Sequence, residues 1–141
     1  MSEMAAVNFG QYDQGNQPVH HVLYLFALAG RPDRTQYWVK RVMDELYSPE
    51  SFAGDEDTGA MAAWYLMSAM GMYAVCPAKP EYVLGRALFP AMTVRVAEGK
   101  TLRIENRGGS GPVRATLNGK AIEGSVVEHA AVVGGGPLVF G

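Results

Sequence analysis

Gly54-Asp55-Glu56-Asp57-Thr58-Gly59 runs straight into Ala60-Met61-Ala62-Ala63-Trp64-Tyr65-Leu66-Met67-Ser68-Ala69-Met70-Gly71-Met72-Tyr73. The second part has no charged residue and is apolar all the way round. It predicts a helix over Gly59 to Tyr73 that must be covered on every side. Two neighbouring helices and a small sheet cover only part of it. The chain is therefore expected to self-associate, with a second copy covering helix 59–73, or to belong to a larger helical assembly. The first part crowds three carboxylates between glycines, a charge density that water, a cation or a substrate must answer.

Working towards the N-terminus, Ser48-Pro49 ends a helix that starts at Arg31-Pro32-Asp33. Its apolar stripe is Trp38, Val39, Val42, Met43 and Leu46, and Lys40, Arg41, Asp44 and Glu45 face water. A further helix is expected over Val19 to Ala29, with Val22, Leu23, Phe26 and Ala27 or Ala29 on one face and Gly30 as its C-cap. Pro18 suits its first turn, where a missing N–H costs nothing. Residues 1–14 carry no period and read as an extended or partly ordered lead-in.

Towards the C-terminus the character changes near residue 80, and Cys76-Pro77-Ala78-Lys79-Pro80 is a stiff connector. Strands are expected over 81–84, 92–96, 101–106, 113–117, 125–127 and 138–140. Thr93-Val94-Arg95-Val96 and Leu102-Arg103-Ile104-Glu105 alternate, with one face in and one out. Glu98-Gly99-Lys100 and Asn118-Gly119 read as hairpin turns, and 107–111 and 134–136 as further turns. The fold class is α+β, with a helical part over 1–80 and a small antiparallel β-region over 81–141.

Composition narrows the functions. The 141 residues make one domain, or one and a half, with a real core, 48% apolar and 18% charged. A net charge of -2 without clustered Lys or Arg argues against nucleic acid. No run of about 18 apolar residues reads as a membrane span. Met1 to Phe9 does not read as a signal peptide. Cys76 is the single cysteine, so an internal disulfide and a cysteine metal knuckle are excluded. It reads as a small buried hydrophobe.

The acidic stretch leaves three readings open: general-base carboxylates, calcium ligands, or a solvated turn, the commonest fate of a bare triplet. Its glycine borders and the helix N-terminus behind it favour a fixed geometry. In an extended loop Asp55 and Asp57 share a side and Glu56 points away. Two converging aspartates can activate a water or hold a hard cation. Gly15-Asn16-Gln17-Pro18 offers neutral amide oxygens at a helix start, where Asn16 also reads as an N-cap. The two loops are expected to be the two lips of one site. His20 and His21 face different ways, and a lone helical histidine is more often a hydrogen-bonded core residue. No HExxH is present and His129 lies far away, so zinc is not expected. Trp64, Tyr65 and Tyr73 read as core rather than as a sugar platform. Neither GxGxxG nor GxxxxGK occurs.

Taken together, Gly15-Asn16-Gln17-Pro18-Val19-His20-His21, Met43-Asp44-Glu45-Leu46-Tyr47-Ser48-Pro49, Gly54 to Tyr65 and Tyr73-Ala74-Val75-Cys76-Pro77 resemble the C-terminal part of the glycoside hydrolase family 92 α-mannosidases. The resemblance continues through Tyr82-Val83-Leu84-Gly85 and Leu117-Asn118-Gly119-Lys120 and covers about Tyr12 to Phe140. It implies that the helices are part of an (α/α)6 barrel, which would enclose the oily helix. It implies calcium-dependent, inverting removal of terminal α-1,2-linked mannose from a glycan. Asp55 and Asp57 match the base aspartates. Asn16, Gln17 and Asp57 are the implied calcium ligands.

Two departures qualify the resemblance. The family usually has glutamate where Gln17 stands, so calcium affinity is expected to be weaker. No residue here matches the general-acid glutamate, and Glu3 does not fit its motif. The chain is therefore expected to be inactive alone and to need the missing N-terminal part of the enzyme. The full-length protein is expected to be periplasmic or secreted. The alternative is a non-catalytic carbohydrate-binding or assembly module derived from the same family.

Overall fold

The computed structural model describes residues 9–109 and 114–141. The first eight residues of the lead-in, Glu3 among them, and the expected turn and strand residues over 110–113 lie outside the described residues.

After a 3-10 turn over Gln17–Val19 come α1 (Val22–Leu28), α2 (Pro32–Leu46) and α3 (Ala60–Ala69). The strands are β1 (Met72–Tyr73), β2 (Glu81–Leu84), β3 (Ala91–Ala97), β4 (Lys100–Asn106), β5 (Ala115–Leu117), β6 (Lys120–Ala121), β7 (Val126–Glu128) and β8 (Gly136–Phe140). A short α4 (His129–Val133) precedes β8. The fold is α+β, as expected.

α1 starts later than its apolar period suggests, because Pro18 sits in the 3-10 turn. Its buried face is Leu23, Tyr24 and Ala27. Phe26, expected inside, is 38% exposed, and Leu28 is 51% exposed. α2 buries Thr35, Val39, Val42 and Met43. Its outer face carries Lys40–Asp44 and Arg41–Glu45 pairs at 2.7 and 2.6 Å. The two helices are stitched through Thr35, whose hydroxyl donates to Leu23 O (2.7 Å) and accepts from Ala27 N (3.0 Å). A buried hydroxyl with both roles used costs little to bury.

α3 is shorter than the sequence predicts. It stops at Ala69 because Gly71 takes a left-handed φ of +81°. Met72 and Tyr73 then form β1, antiparallel to β2. Trp64 and Met61 are fully buried, but Leu66 is 59% exposed. Leu66 and Phe52 line an apolar hollow beside α3 with Tyr47, Pro49 and Tyr65. Part of the side of α3 that the sequence requires to be covered is thus left open by the described residues.

Two sheets follow. One has the order β1-β2-β7, the other β3-β4-β8-β5-β6. All pairs are antiparallel except β4–β8, which is parallel and joins Leu102–Asn106 to Gly136–Phe140. The Asn118-Gly119 turn closes β5 on β6, with Leu117 facing Lys120 and both turn residues at positive φ. One core, built on Tyr24, Val39, Val42 and Trp64, lies among the helices and reaches Val83 of β2. The other, built on Met72, Leu102, Ile104, Leu138 and Phe140, lies on the sheets. Burial of each such side chain contributes about 1.5–3 kcal/mol.

Candidate active site

The loop before the 3-10 turn and the acidic loop before α3 touch. A Cβ on Gly54 would sit 3.0 Å from Gly15 Cα, so the two backbones approach closely enough that a side chain there would force a small shift. Gln17 Nε2 donates to Asp55 O at 3.2 Å. The expected lips are therefore adjacent, with Asn16 and Gln17 on one and Asp55, Glu56 and Asp57 on the other.

The acidic loop is not extended. Asp57, Thr58 and Gly59 have φ of 53°, 58° and 96°, three left-handed residues in a row. The alternation argument for Asp55 and Asp57 sharing a side therefore does not hold. Both are exposed. Glu56 is not the idle, outward member either. Its carboxylate accepts from Gly59 N in a short hydrogen bond and from Ala62 N at 3.2 Å. An anion on the free N–H groups of α3 complements its dipole and fixes the turn. Two main-chain bonds complete the turn, Ala60 N to Asp57 O and Met61 N to Glu56 O, each 3.2 Å.

On the opposite lip, Asn16 holds the N-cap position but its side chain makes no capping bond. The bland reading of Asn16 as a cap is thus set aside. The turn is closed instead by Asp13, whose Oδ1 accepts from Gly15 N at 3.0 Å. Asp13 Oδ2 is buried without a hydrogen-bond partner.

Beneath both lips lies a polar floor. Gln14 is fully buried. Its side-chain oxygen accepts a short bond from Tyr12, and its Nε2 donates to Tyr47 Oη at 2.8 Å. His20 is buried and hydrogen-bonded, as expected of a core histidine. Its Nε2 lies 2.9 Å from Gln14 O, to which it donates, and 3.2 Å from the Gln14 amide nitrogen. Burial pushes the Tyr12 and Tyr47 hydroxyls above the ordinary tyrosine value, so both stay protonated and able to donate. Burial pulls the His20 imidazole below its ordinary value, against its bond to Gln14 O. Trp64 is in the core, as expected, stacked on Tyr47 at 5.9 Å and 9°.

The sequence reading missed this floor. Gln14 lies in a stretch without period, and its partner Tyr47 is 33 residues away. The signal that was available is the polar side chain between Tyr12 and Gly15, flush against a motif loop. Two other candidates separate from the site. His129 is exposed and bonded to Tyr82 Oη at 2.7 Å. Cys76 is exposed, not buried, because the connector carries it to the surface.

The donors suit one kind of metal. Among the described residues no group of three or more His, Cys, Asp or Glu could hold an ion. A cation at the lips would depend on amide oxygens of Asn16 and Gln17 with the Asp57 carboxylate. Neutral and anionic oxygens with no nitrogen or sulfur fit a hard ion such as calcium. Asp13, whose Oδ2 is buried and unpartnered, is a further oxygen donor on the same loop.

Comparison with known proteins gives one consistent picture. The model of the glycosyl hydrolase family 92 catalytic domain matches residues 1–141. A family GH92 α-mannosidase from Bacteroides thetaiotaomicron, solved in complex with mannoimidazole, is 33% identical with a TM-score of 0.85, covering 93% of this chain and 18% of its own. A family GH92 inverting mannosidase from the same organism is 41% identical with a TM-score of 0.81, covering 94% of this chain and 19% of its own. An uncharacterized secreted glycosidase from Arthroderma benhamiae is 28% identical over 138 residues, covering 88% of this chain and 17% of its own. The chain thus spans less than a fifth of each of these relatives. No helix among the described residues is long and apolar enough to cross a membrane.

Proposed function

The chain belongs to glycosyl hydrolase family 92, and from that premise we propose that it supplies the base half of a calcium-dependent, inverting exo-α-mannosidase site. The substrate is a glycan ending in α-1,2-linked mannose. Asp55 and Asp57 are the groups that take the proton from the attacking water. Inversion also needs an acid on the opposite side of the glycosidic bond, separated to leave room for that water. None of the described residues fills that role, so the chain alone does not turn over, and the remainder of such a catalytic domain supplies the acid. That remainder also covers the open faces of α1 and α3. A bound calcium would hold sugar hydroxyls at the lips, with Asn16, Gln17 and Asp57 as its protein ligands. The presence of Gln17 in place of the family's usual glutamate makes that affinity modest. The division into a helical part, 1–80, and a β-part, 81–141, follows the same reading, and a secreted or periplasmic setting suits it.

The observation that carries this is the contact of the two lips through Gly15, Gly54 and the Gln17–Asp55 bond. It brings motif residues nearly forty positions apart into one place. The test measures mannose released from an α-1,2-mannobioside. The chain is assayed alone and co-expressed with the upstream part of a family catalytic domain that contains the acid. Activity is expected only in the second case, lost with a chelator and with Asp57→Asn. Robust turnover by the purified chain alone overturns the assignment.

A further inference from the structure

We propose that Gln14 is the positioning residue of the site, setting the cation loop against the acidic loop through a hydrogen-bonded chain that runs beneath both. The inference rests on the reading of Asn16, Gln17 and Asp57 as cation ligands.

Each link of the chain has a consistent donor and acceptor. Gln14 Nε2 donates to Tyr47 Oη at 2.8 Å, and Tyr47 Oη donates onward to Met61 O at 3.3 Å, in the first turn of α3. Trp64 Nε1, one turn further on, donates to His20 O at 3.0 Å. His20 in turn donates to Gln14 O. Gln14 is therefore held through its side chain and its main chain, and both holds lead to α3. Among the described residues the lips meet at Gly15 against Gly54 and through the exposed Gln17–Asp55 bond. An exposed bond between loops competes with water, whereas a buried chain of bonds is strengthened by its surroundings. The distance between the lips is thus set from below. Gln14 is buried beneath the loops and acts only through them.

Its environment explains why glutamine suits the position. Tyr12 and Tyr47 present one donor and one acceptor to it, which a neutral amide satisfies at both ends. A glutamate would bring a charge into this buried place and lose the Nε2 donation to Tyr47 Oη.

The test uses the 141-residue chain and two variants that keep volume. Gln14→Met removes both polar ends, and Tyr47→Phe removes only the linking hydroxyl. Val39→Ala, in the same core but without a polar group, is the control for general destabilisation. Calcium uptake is measured by calorimetry, and amide exchange is followed at Ala60 and Met61, whose N–H groups close the acidic turn. The expected result is a loss of calcium affinity of about fivefold or more in both network variants. Exchange at Ala60 and Met61 speeds up, while exchange at Leu138 in the sheet follows only global stability. Val39→Ala lowers the melting temperature but leaves calcium affinity unchanged. If Gln14→Met does not fold, Tyr47→Phe alone decides. Wild-type affinity in Tyr47→Phe, or an equal loss in Val39→Ala, overturns the inference. If the unmutated chain takes up no calcium yet the exchange coupling persists, the cation reading falls and the positioning role stands. If the coupling is also absent, the positioning role falls.

Discussion

Left-handed backbone serves opposite purposes at two places in this molecule. At Gly71, where α3 gives way to β1, the left-handed residue is closely packed where a side chain would stand. A Cβ there would lie 2.6 Å from Ala87 N and 2.7 Å from Phe140 Cζ. At Asp57 and Thr58 the same conformation is adopted by residues with side chains, on the surface, at the site. The first position is dictated by packing, and the residue chosen is the one that fits. At the second, the residues carry a conformational cost that packing does not require. The junction is therefore built for stability, and the loop is held in its shape by specific bonds from Glu56 and Gln17.

The comparison breaks most sharply at the junction. Gly71→Ala adds left-handed strain of about 1–2 kcal/mol and overpacking of about 1–3 kcal/mol. Two of the three nearest atoms, Ala87 N and Arg86 C, are main chain and cannot swing away. Gly85 N donates to Gly71 O and Leu88 N to Ala69 O, both at 2.9 Å, so any shift also strains the sheet contact. A loss of about 3 kcal/mol is a large fraction of a domain's usual stability. Denaturant titration is expected to show the midpoint falling with little change in slope. A loss under about 1 kcal/mol would mean that the junction relaxes and is not tightly packed.

At the loop, the next largest effect belongs to Glu56. Glu56→Ala leaves Gly59 N and Ala62 N without their acceptor, at a cost of about 1–2 kcal/mol by analogy with lost helix caps. The loss should appear as faster amide exchange in the first turn of α3 before it appears in the sheets. Equal effects in both regions would show that the loop is as cooperative as the junction.

The floor of the site adds a pH dependence that the junction lacks. Burial lowers the His20 value from the ordinary 6.5, so the unfolded chain takes up this proton at higher pH than the folded one. The stability associated with a neutral His20 is complete above that ordinary value. It declines as pH falls from there towards the folded value. The melting temperature is expected to drop between pH 7 and pH 5.5, and His20→Gln is expected to flatten that slope. An unchanged slope in the variant would place the titration elsewhere.

The same contrast explains what was legible in the sequence. The strand over 81–84, the alternation through Thr93–Val96 and the Asn118-Gly119 turn are local signals, and the structure has all three. The oily run from Gly59 to Tyr73 reads as one helix because its composition never changes. The break at Gly71 is caused by Ala87 and Phe140, which arrive from far along the chain. The alternation of Asp55 and Asp57 presumed extended backbone, and the left-handed turn removed that premise. The role of Glu56 was within reach, since a carboxylate three residues before a glycine N-cap complements a helix start. Gln14 was not, because its burial depends on Tyr47 and His20 meeting it in space. The motif residues were recognised by order and spacing, and their adjacency is a tertiary fact that spacing alone does not contain.

Thr58 gives the smallest effect and the cleanest separation of strain from chemistry. A β-branched residue at a φ of 58° is a strained choice. Glycine there would relieve about 1–2 kcal/mol of strain and lose part of that to the greater freedom of the unfolded chain. The net expectation for Thr58→Gly is a gain of about 0.5 kcal/mol, or roughly 2 °C in melting temperature. Thr58 is not among the proposed ligands or bases, so its hydroxyl is not needed for either role. If calcium uptake is unchanged while stability rises, the left-handed run is tolerated strain and the Glu56 and Gln17 bonds shape the loop. If uptake falls as stability rises, the stiffness of a side chain at this position is what holds Asp57 in place. In that case the loop trades stability for a fixed carboxylate, which is the opposite of the bargain struck at Gly71.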